Sequence, residues 1–422
     1  MAIFTLWNIL FLSLALNLGL LLRFPQEQPH YHDGLRNIQR TRLAVSPVAV
    51  PGESETADDN NSIINLDHGD PTMYEKYWME MGDKATVVIP GWQSLSYFSD
   101  PGNICWFLEP KFAKEAVRLH NIVGNAVTED RHVVVGTGST QLYQAVLYAL
   151  SPPDAAEPIS VVSAAPYYSS YPAITDCLKS GLHKWGGDAR TFNKDGPFIE
   201  LVTNPNNPDG HLRQSIVNKT GGILVHDLAY YWPQYAPISS PADHDIMLFT
   251  VSKTTGHAGT RIGWALVKDV EVAKKMVKYI ELSTIGVSKD SQLRAAKILQ
   301  VTSDGCEYPT TGRSLFNSSF HLMDQRWKLL RVAVQQSGLF SLPEFSSGYC
   351  SYFHREFQPQ PAFAWLKCEG GIEDCERFLR GWKILTRSGR HFGFSPRYVR
   401  VSMLDRDRTF NLFVQRLSQI QT

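Results

Sequence analysis

Cysteine is scarce in this sequence, with six residues in 422, at positions 105, 177, 306, 350, 368 and 375. No two of them form a CxxC pair, and their spacing matches neither a disulfide-rich module nor a zinc knuckle, so we expect no metal site. Cys368 and Cys375 could form a disulfide bond. Free thiols in a cytosolic protein are equally compatible with the pattern.

An excess of charge of either sign is also missing, because 41 Lys and Arg balance 41 Asp and Glu. A neutral chain lacks the basic footprint of a nucleic-acid-binding protein. The sequence contains neither GxxxxGK[ST] nor GxGxxG, which disfavours a P-loop nucleotidase and a Rossmann dehydrogenase. With 43% hydrophobic and 19% charged residues, the composition is that of a globular protein with one large or two medium domains.

A long uncharged run stands at the N-terminus, where residues 2–22 are mostly Leu, Ile, Phe and Ala. This length suffices to span a bilayer, and the run lacks the basic start and small-residue cleavage site of a signal peptide. We therefore expect an uncleaved anchor in the endoplasmic reticulum membrane. Arginines follow it, which favours a cytoplasmic catalytic body. Weak evidence for the lumenal face comes from sequons at Asn60, Asn218 and Asn317.

Six short apolar runs, near residues 133, 160, 200, 224, 247 and 263, predict strands. Each ends in a polar or Gly-rich loop, and helical spacing lies between several of them. This predicts an α/β fold with a mainly parallel sheet and a ligand at the carboxyl ends of its strands. The expected organisation is an anchor or signal (1–23), a disordered linker (24–61), an N-terminal segment (62–100), a large domain (101–300) and a small α+β domain (301–422).

The most informative stretch is residues 249–268, FTVSKTTGHAGTRIGWALVK, which predicts a strand, a reactive loop and a second strand. Lys253 lies among small residues, and Arg261 follows eight positions later. This layout suits a lysine that forms a Schiff base with an aldehyde cofactor, beside a cation that holds the cofactor's phosphate. A surface lysine in an ordinary loop is the alternative.

Other predicted strands also end in polar groups that could bind such a cofactor. The turn after residue 135, GTGSTQ, opens a helix and could bind an anion, or it could be a plain turn with a hydroxyl cap. Asp227 ends a buried strand, where a carboxylate needs a partner such as a protonated pyridine nitrogen. Amide side chains in residues 204–210 are good donors to a ring hydroxyl, and Tyr167 could stack on a flat heterocycle.

Taken in order, GTGST, APYYSSYP, TNPNNPDG, HDLAYYWP, SKTTGHAGTRIGW and YVRVSM resemble the cofactor-binding elements of fold-type I, pyridoxal-phosphate-dependent aminotransferases. The resemblance runs from Ile63 to Leu417. The longer phrases NLDHGDPTMYEKYW, SYFSD and IGVSKDSQLRAAKIL are similar to the plant tryptophan aminotransferases and their relatives the alliinases. This resemblance implies a large domain with a seven-stranded sheet, a smaller domain, and pyridoxal 5′-phosphate as cofactor.

The resemblance also implies residue roles. Lys253 would bind the cofactor and move the proton, Asp227 would pair with the pyridine nitrogen, and Arg400 would clamp the substrate carboxylate, with Gly69 beside it. The expected contacts of the cofactor ring are Asn207 and Tyr230 at the 3′-oxygen and Tyr167 on the ring face. The expected phosphate ligands are Gly138, Ser139, Thr140, Thr250, Ser252, Arg261 and, from the neighbouring subunit of a homodimer, Tyr97.

Two reactions fit these motifs, since both begin with loss of the Cα proton. The first is transfer of the amino group of L-tryptophan to a 2-oxo acid such as pyruvate, giving indole-3-pyruvate, the entry to the auxin indole-3-acetic acid. The second is an alliinase-like cleavage of cysteine sulfoxides. Alliinases carry a cysteine-rich segment ahead of the catalytic body, whereas no cysteine precedes Cys105 here, which favours the aminotransferase. Aromatic candidates for the indole ring are Trp106, Phe107, Tyr231 and Phe316.

Overall fold

Seven strands between residues 132 and 267 form the main sheet in the computed structural model of the chain, which describes residues 62–217, 219–307 and 314–421. The strands of the described chain are β1 (Ile64–Asn65), β2 (His132–Gly136), β3 (Ile159–Ser163), β4 (His183–Asp188), β5 (Phe198–Thr203), β6 (Gly222–Asp227), β7 (Ile246–Thr250), β8 (Gly263–Val267), β9 (Phe340–Ser341), β10 (Gly348–Cys350), β11 (Arg355–Phe357), β12 (Phe363–Cys368), β13 (Ile384–Leu385), β14 (Arg387–Ser388) and β15 (Tyr398–Ser402).

The main sheet has the strand order β2-β8-β7-β6-β5-β3-β4. β8 runs antiparallel to both of its neighbours, and the other pairs are parallel. Every residue of β5, β7 and β8 is buried, as expected for strands that helices cover on both faces. The fold class is therefore confirmed: a mainly parallel α/β sheet, with all six predicted strands present and β4 added.

Helices cover this sheet and continue into the C-terminal part. They are α1 (Glu75–Met81), α2 (Pro110–Val123), α3 (Gly138–Leu150), α4 (Tyr171–Asp176), α5 (Val251–Thr254), α6 (Val270–Thr284), α7 (Lys289–Glu307), α8 (Leu315–Ser337), α9 (Cys375–Gly381) and α10 (Asp407–Gln419). Local sequence sets several ends: Pro110 opens α2, a left-handed Gly124 ends it, and the carboxylate of Asp269 caps α6.

A second sheet, with the order β14-β15-β12-β9, is antiparallel and belongs to the C-terminal part. β1, near the start of the described chain, pairs with β13 in parallel. The backbone after β1 is hydrogen-bonded to the strand that carries Arg400, because the amide of Ser402 donates to the carbonyl of Leu66 at 3.0 Å. The residues after β1 therefore lie beside the C-terminal sheet.

Cys368 and Cys375, whose pairing the sequence left open, form a disulfide bond between the end of β12 and the start of α9. Among the residues described, no helix combines the length and apolar character needed to cross a bilayer. The expected anchor and linker, residues 1–61, lie outside the described residues, as does the sequon at Asn218. The boundaries of the large and small domains remain predictions.

Candidate active site

A cavity lies where β5, β6 and β7 end, because these parallel strands bring Thr203, Asp227 and Thr250 to the same edge of the sheet. Nine of the twelve residues assigned to the cofactor from sequence line it: Ser139, Thr140, Asn207, Asp227, Tyr230, Thr250, Ser252, Lys253 and Arg261. Ligands of open α/β sheets bind at this edge. The sequence therefore predicted the location of the cavity.

Lys253 lies on α5, a single helical turn, rather than in the loop that the sequence predicted. Thr250 caps this turn, since its hydroxyl accepts a hydrogen bond of 3.2 Å from the amide of Ser252. The Thr250 hydroxyl is also 3.0 Å from the carbonyl oxygen of Ile262, which precedes β8. These contacts fix the turn that carries the lysine between the end of β7 and the start of β8.

The ammonium of Lys253 points into the cavity, and its Nζ donates a hydrogen bond of 2.5 Å to the carbonyl oxygen of Gly69. Burial, together with the positive charges of Arg400 and Arg261, lowers the pKa of Lys253 to about 8, while the negative charge of Asp70 opposes this shift. A lysine needs such a depressed pKa to act as a nucleophile or a base near neutral pH.

Asp227 ends β6 at the floor of the cavity. Its Oδ2 accepts a hydrogen bond of 2.8 Å from the hydroxyl of Tyr171, and its Oδ1 accepts one of 3.2 Å from the amide of Ala229. Burial raises the pKa of the Asp227 carboxyl above its usual value, against the effect of these two donors. Within the described part of the chain, no cationic side chain forms a salt bridge with it. A cationic ligand would supply the missing partner.

An anion site stands at the start of α3. Gly138 has a positive φ of 72°, and a Cβ there would lie 2.6 Å from Nη2 of Arg261, so only glycine lets the guanidinium approach the first helical turn. No side chain caps this helix, which leaves the amides of Ser139 and Thr140 available. No carboxylate in the described ranges pairs with Arg261. Its Nη1 donates a hydrogen bond of 2.8 Å to the carbonyl oxygen of Ala258, which leaves its charge uncompensated; helix amides, hydroxyls and such a guanidinium suit a phosphate.

Asn207 and Tyr230 stand beside each other in the cavity, both almost fully buried. The Oδ1 of Asn207 accepts a hydrogen bond of 3.2 Å from Nη1 of Arg400, and the Asn207 side chain lies close enough to the Tyr230 hydroxyl to lower its pKa slightly. Burial raises the pKa of Tyr230 far above its usual value, so the phenol remains a donor. The pair can bind one ligand oxygen between them.

Tyr167, assigned to the ring face from sequence, does not line the cavity. Its ring packs edge-on against Trp185, with centroids 4.9 Å apart, and lies so close to Gly393 that a Cβ there would be 2.6 Å from the Tyr167 hydroxyl. The next residue, Tyr168, lines the cavity instead. Of these two adjacent residues, Tyr168 is therefore the one available to stack on a ligand ring in the cavity.

Arg400, at the centre of β15, is only 3% exposed. Its Nη2 donates a hydrogen bond of 2.7 Å to the carbonyl oxygen of Asp67. The ring of Phe363 lies 4.1 Å from its Cζ atom and that of Phe392 lies 5.2 Å away. Burial lowers the pKa of Arg400 to about 10, and its Nε has no hydrogen-bond partner. A buried cation with an unused donor is a suitable site for a carboxylate.

Gly69 lies between Lys253 and Phe363, a residue of the C-terminal sheet. A Cβ on Gly69 would lie 2.9 Å from the ring of Phe363 and 3.3 Å from Nζ of Lys253. A side chain at this position would therefore fill the space over the lysine. Glycine at this position keeps the space beside the lysine open.

Tyr97 is 69% exposed and does not line the cavity. Its expected contact with a neighbouring subunit remains a prediction. The four aromatic residues considered for the indole ring do not line the cavity either; they are Trp106, Phe107, Tyr231 and Phe316. Phe316, for example, is fully buried and stacks on Trp232.

Sequence reasoning also missed Tyr171 and Asp67. Tyr171 begins α4 and bridges two strand ends, since its hydroxyl lies 2.7 Å from that of Thr203 while it donates to Asp227. It belongs to the APYYSSYP stretch that the sequence analysis singled out, so a signal existed. Asp67 also belongs to a stretch that the sequence analysis quoted, NLDHGDPTMYEKYW, but its contact with Arg400 spans 333 positions, so no local pattern marked it as a partner of that arginine.

These residues fit pyridoxal 5′-phosphate. The first turn of α3 and Arg261 would hold its phosphate, and Asn207 and Tyr230 would hold the ring hydroxyl. Asp227, which has no cationic partner in the described chain, would pair with the protonated ring nitrogen. Lys253 has an amine of depressed pKa to react with the aldehyde.

Comparisons with known proteins agree with this geometry. The family model described as allinase matches residues 64–421. Tryptophan aminotransferase-related protein 2 of Arabidopsis thaliana is 61% identical over 97% of this chain and 96% of its own length. Alliin lyase of Allium cepa var. aggregatum is 39% identical over 80% of this chain and 76% of its own. The aspartate aminotransferase structure from Thermotoga maritima aligns with a TM-score of 0.58 at 18% identity, covering 85% of this chain and 91% of that one, and shows the shared fold.

Proposed function

The chain belongs to the alliinase family of pyridoxal-phosphate-dependent enzymes with the fold of type I aminotransferases, and from that premise we propose that it is an L-tryptophan aminotransferase. It transfers the amino group of tryptophan to a 2-oxo acid such as pyruvate and yields indole-3-pyruvate, the first step towards the auxin indole-3-acetic acid. The observation that carries the proposal is that Lys253 and Asp227 line one cavity, with the buried Arg400 near enough for its charge to lower the pKa of Lys253.

Each residue has a task in this reaction. Arg400 binds the α-carboxylate of the amino acid through its guanidinium fork, which leaves the hydrogen on Cα for Lys253. Nζ of Lys253 removes that proton and later delivers a proton to complete the exchange. Bound pyridoxal phosphate supplies the aldehyde that links to the amino group and a ring that withdraws electrons from Cα. Asp227 maintains that withdrawal by keeping the ring nitrogen protonated.

The choice of tryptophan rests on relatives rather than on the cavity. The Arabidopsis relative named for tryptophan aminotransferase is much more similar to this chain than the alliin lyase, and its similarity extends over nearly the whole chain. Tyr168, which lines the cavity, and Phe363, whose ring centre lies 4.1 Å from the Cζ atom of Arg400, offer apolar surface to an indole ring.

A second candidate is a lyase that cleaves cysteine sulfoxides, because the family model and the alliin lyase similarity both include that chemistry. It shares the removal of the Cα proton by Lys253. It differs afterwards, since the β-substituent leaves and no amino acceptor is needed. The residues that remove the proton are the same for both outcomes.

The deciding experiment gives the purified protein tryptophan with pyruvate and, separately, alliin with no acceptor. The aminotransferase forms indole-3-pyruvate and alanine in equal amounts and releases no pyruvate from alliin. Pyruvate formed from alliin without an acceptor would overturn the proposal in favour of the lyase. Lys253→Ala should be inactive in both assays, which controls for contaminating enzymes.

We also propose that two copies of the chain form a homodimer with shared active sites. Support comes from the exposed apolar side chains of the segment around Tyr97, namely Trp92, Leu95 and Phe98, which an isolated subunit would leave in water. Analytical ultracentrifugation should show a dimer. Tyr97→Phe should weaken cofactor binding, and should leave it unchanged if the hydroxyl reaches no phosphate.

Membrane attachment through residues 2–22 is a further part of the proposal, supported by the length and apolar composition of that run. The full chain should sediment with endoplasmic reticulum membranes and be released by detergent but not by alkaline carbonate. A chain that starts at Ser62 should remain in the supernatant. Release by carbonate alone would contradict an integral anchor.

A further inference from the structure

A second arginine lies beside Arg400. Arg387, in β14, is the direct cross-strand partner of Arg400 in β15. Its Nε donates a hydrogen bond of 2.6 Å to Oδ1 of Asp67, and its Nη1 donates one of 3.3 Å to the hydroxyl of Ser169. Arg387 therefore stands between the segment that contacts Arg400 and the loop that carries Tyr168.

This ion pair is at the edge of the substrate site. Asp67 contacts both arginines, because its backbone carbonyl accepts from Arg400 while its carboxylate accepts from Arg387. Ser169 follows directly after Tyr168, which lines the cavity. The side chains of Arg387 and Asp67 are 32% and 42% exposed. The distal part of a ligand whose α-carboxylate is bound at Arg400 can therefore reach them.

Asp67 determines whether Arg387 is available to bind a second carboxylate. A guanidinium beside the α-carboxylate site would be a ready fork for the second carboxylate of a dicarboxylic acid. Asp67 already accepts a hydrogen bond from Nε of this guanidinium, and its negative charge offsets the positive charge of Arg387. An incoming second carboxylate would meet the Asp67 carboxylate and would have to displace it, whereas a substrate with one carboxylate would not compete with Asp67 for Arg387.

We propose that the Asp67–Arg387 pair determines the amino acceptor, selecting 2-oxo acids with one carboxylate and rejecting dicarboxylic 2-oxo acids. This inference rests on the proposed aminotransferase function. Both acceptor classes make the same attractive contact between the α-carboxylate and Arg400. They differ because Arg387 is already paired and the negative charge of Asp67 repels a second carboxylate.

The test removes the charge of Asp67 and measures the relative use of two amino acceptors. In Asp67→Asn, the ratio of kcat/KM for 2-oxoglutarate to kcat/KM for pyruvate should rise by about tenfold or more, since a charge-assisted bidentate contact becomes available. Asp67→Ser should raise this ratio as well. The double variant Asp67→Asn with Arg387→Met should lose the gain, because the second carboxylate has no cation to bind.

A binding measurement separates recognition from catalysis. Calorimetry on the cofactor-loaded protein compares glutarate with propionate, which do not react. Asp67→Asn should tighten glutarate binding relative to propionate, and the double variant should not. Asp243→Asn is the matched control, since it breaks another arginine–carboxylate pair, with Arg131, just before the amino ends of β7 and β2; it should change neither ratio.

An unchanged acceptor ratio in Asp67→Asn, or a gain that persists without Arg387, would overturn the assignment. Equal use of 2-oxoglutarate and pyruvate by the unaltered protein would do the same. If the proposed function itself fails, no variant will transaminate tryptophan with any acceptor. That result is distinct from a normal reaction with pyruvate and an unmoved ratio.

Discussion

The ammonium of Lys253 donates a hydrogen bond of 2.5 Å to the carbonyl oxygen of Gly69, 184 positions earlier in the chain. Two residues before Gly69, the carbonyl of Asp67 accepts from Arg400. One short segment after β1 thus contacts both Lys253, to which the proposal assigns the proton transfer, and Arg400, to which it assigns the carboxylate. These contacts couple the reaction site of the main sheet to the C-terminal sheet.

Cofactor capture should depend on pH through Lys253. Only the neutral amine attacks an aldehyde, and burial lowers the pKa of Lys253 to about 8. The association rate of pyridoxal phosphate with the apo-protein should therefore rise about tenfold per pH unit below pH 8 and level off above it. Stopped-flow absorbance measures this rate. Arg400→Met removes a charge that lowers the pKa of Lys253, so the midpoint should move upward; an unmoved midpoint would contradict the coupling.

The stability of the apo-protein should also depend on the protonation of Lys253. The pKa of Lys253 in the folded protein, at about 8, is lower than the ordinary lysine value of 10.5. The folded state therefore binds fewer protons between these values, and Lys253 makes the unfolding free energy of the apo-protein increase with pH across that window and decrease as pH falls through 8. Urea titrations of the apo-protein at several pH values should show this increase, and Lys253→Met should abolish it.

Arg400→Lys should raise KM for tryptophan by about tenfold, because one ammonium cannot reproduce a bidentate guanidinium fork. The carboxylate is bound in the ground state and in the transition state alike, so kcat should change less than KM. Steady-state kinetics measure both. Arg406→Lys is the control, since Arg406 pairs with Glu75 at the surface and should leave KM unaltered. An unchanged KM in Arg400→Lys would remove Arg400 from the substrate site.

Asp227→Asn should reduce kcat by about a hundredfold or more, because a neutral amide does not keep the ring nitrogen protonated. The apo-protein should respond in the opposite way. Burial raises the pKa of Asp227, so the ionised carboxylate is destabilising at neutral pH in the absence of a cation, and Asn removes that cost. Thermal unfolding should show a more stable apo-protein and a smaller stabilisation by cofactor. A larger cofactor effect in the variant would refute the pairing.

Tyr168→Ala should weaken cofactor binding by about tenfold, while Tyr168→Phe should retain most of it, because stacking needs the ring and not the hydroxyl. Tyr167→Ala is the neighbouring control. It removes packing against Trp185 and should lower the stability of the protein more than its affinity for cofactor. Fluorescence titration of the apo-protein distinguishes the two. Equal losses of affinity in both variants would contradict the placement of Tyr168.

Most of the site was predictable because parallel strands bring their ends together. Asp227 and Lys253 each follow a buried apolar run, so their positions along the chain already placed them at one edge of the sheet. β4 was not located, since its sequence, HKWGGD, lacks both an apolar run and a clear alternation. Its place in the sheet comes from pairing with β3, which is a tertiary contact.

The remaining differences concern side-chain direction and distance in sequence. Tyr167 and Tyr168 are adjacent and identical in type, and only the packing of Trp185 and Gly393 determines which one faces away from the cavity. The pair of Asp67 and Arg387 joins residues 320 positions apart. Neither relationship has a local pattern that sequence reasoning could use.

The central claim is that the amine of Lys253 binds the aldehyde of pyridoxal phosphate. Borohydride reduction of the cofactor-loaded protein, followed by peptide mass mapping, tests it directly, because reduction fixes the cofactor to the amine that holds it. The account predicts one modified peptide, labelled at Lys253, and no labelling in Lys253→Ala, which should still fold. A label on another lysine, or an unlabelled protein that does not take up the cofactor, would contradict the account.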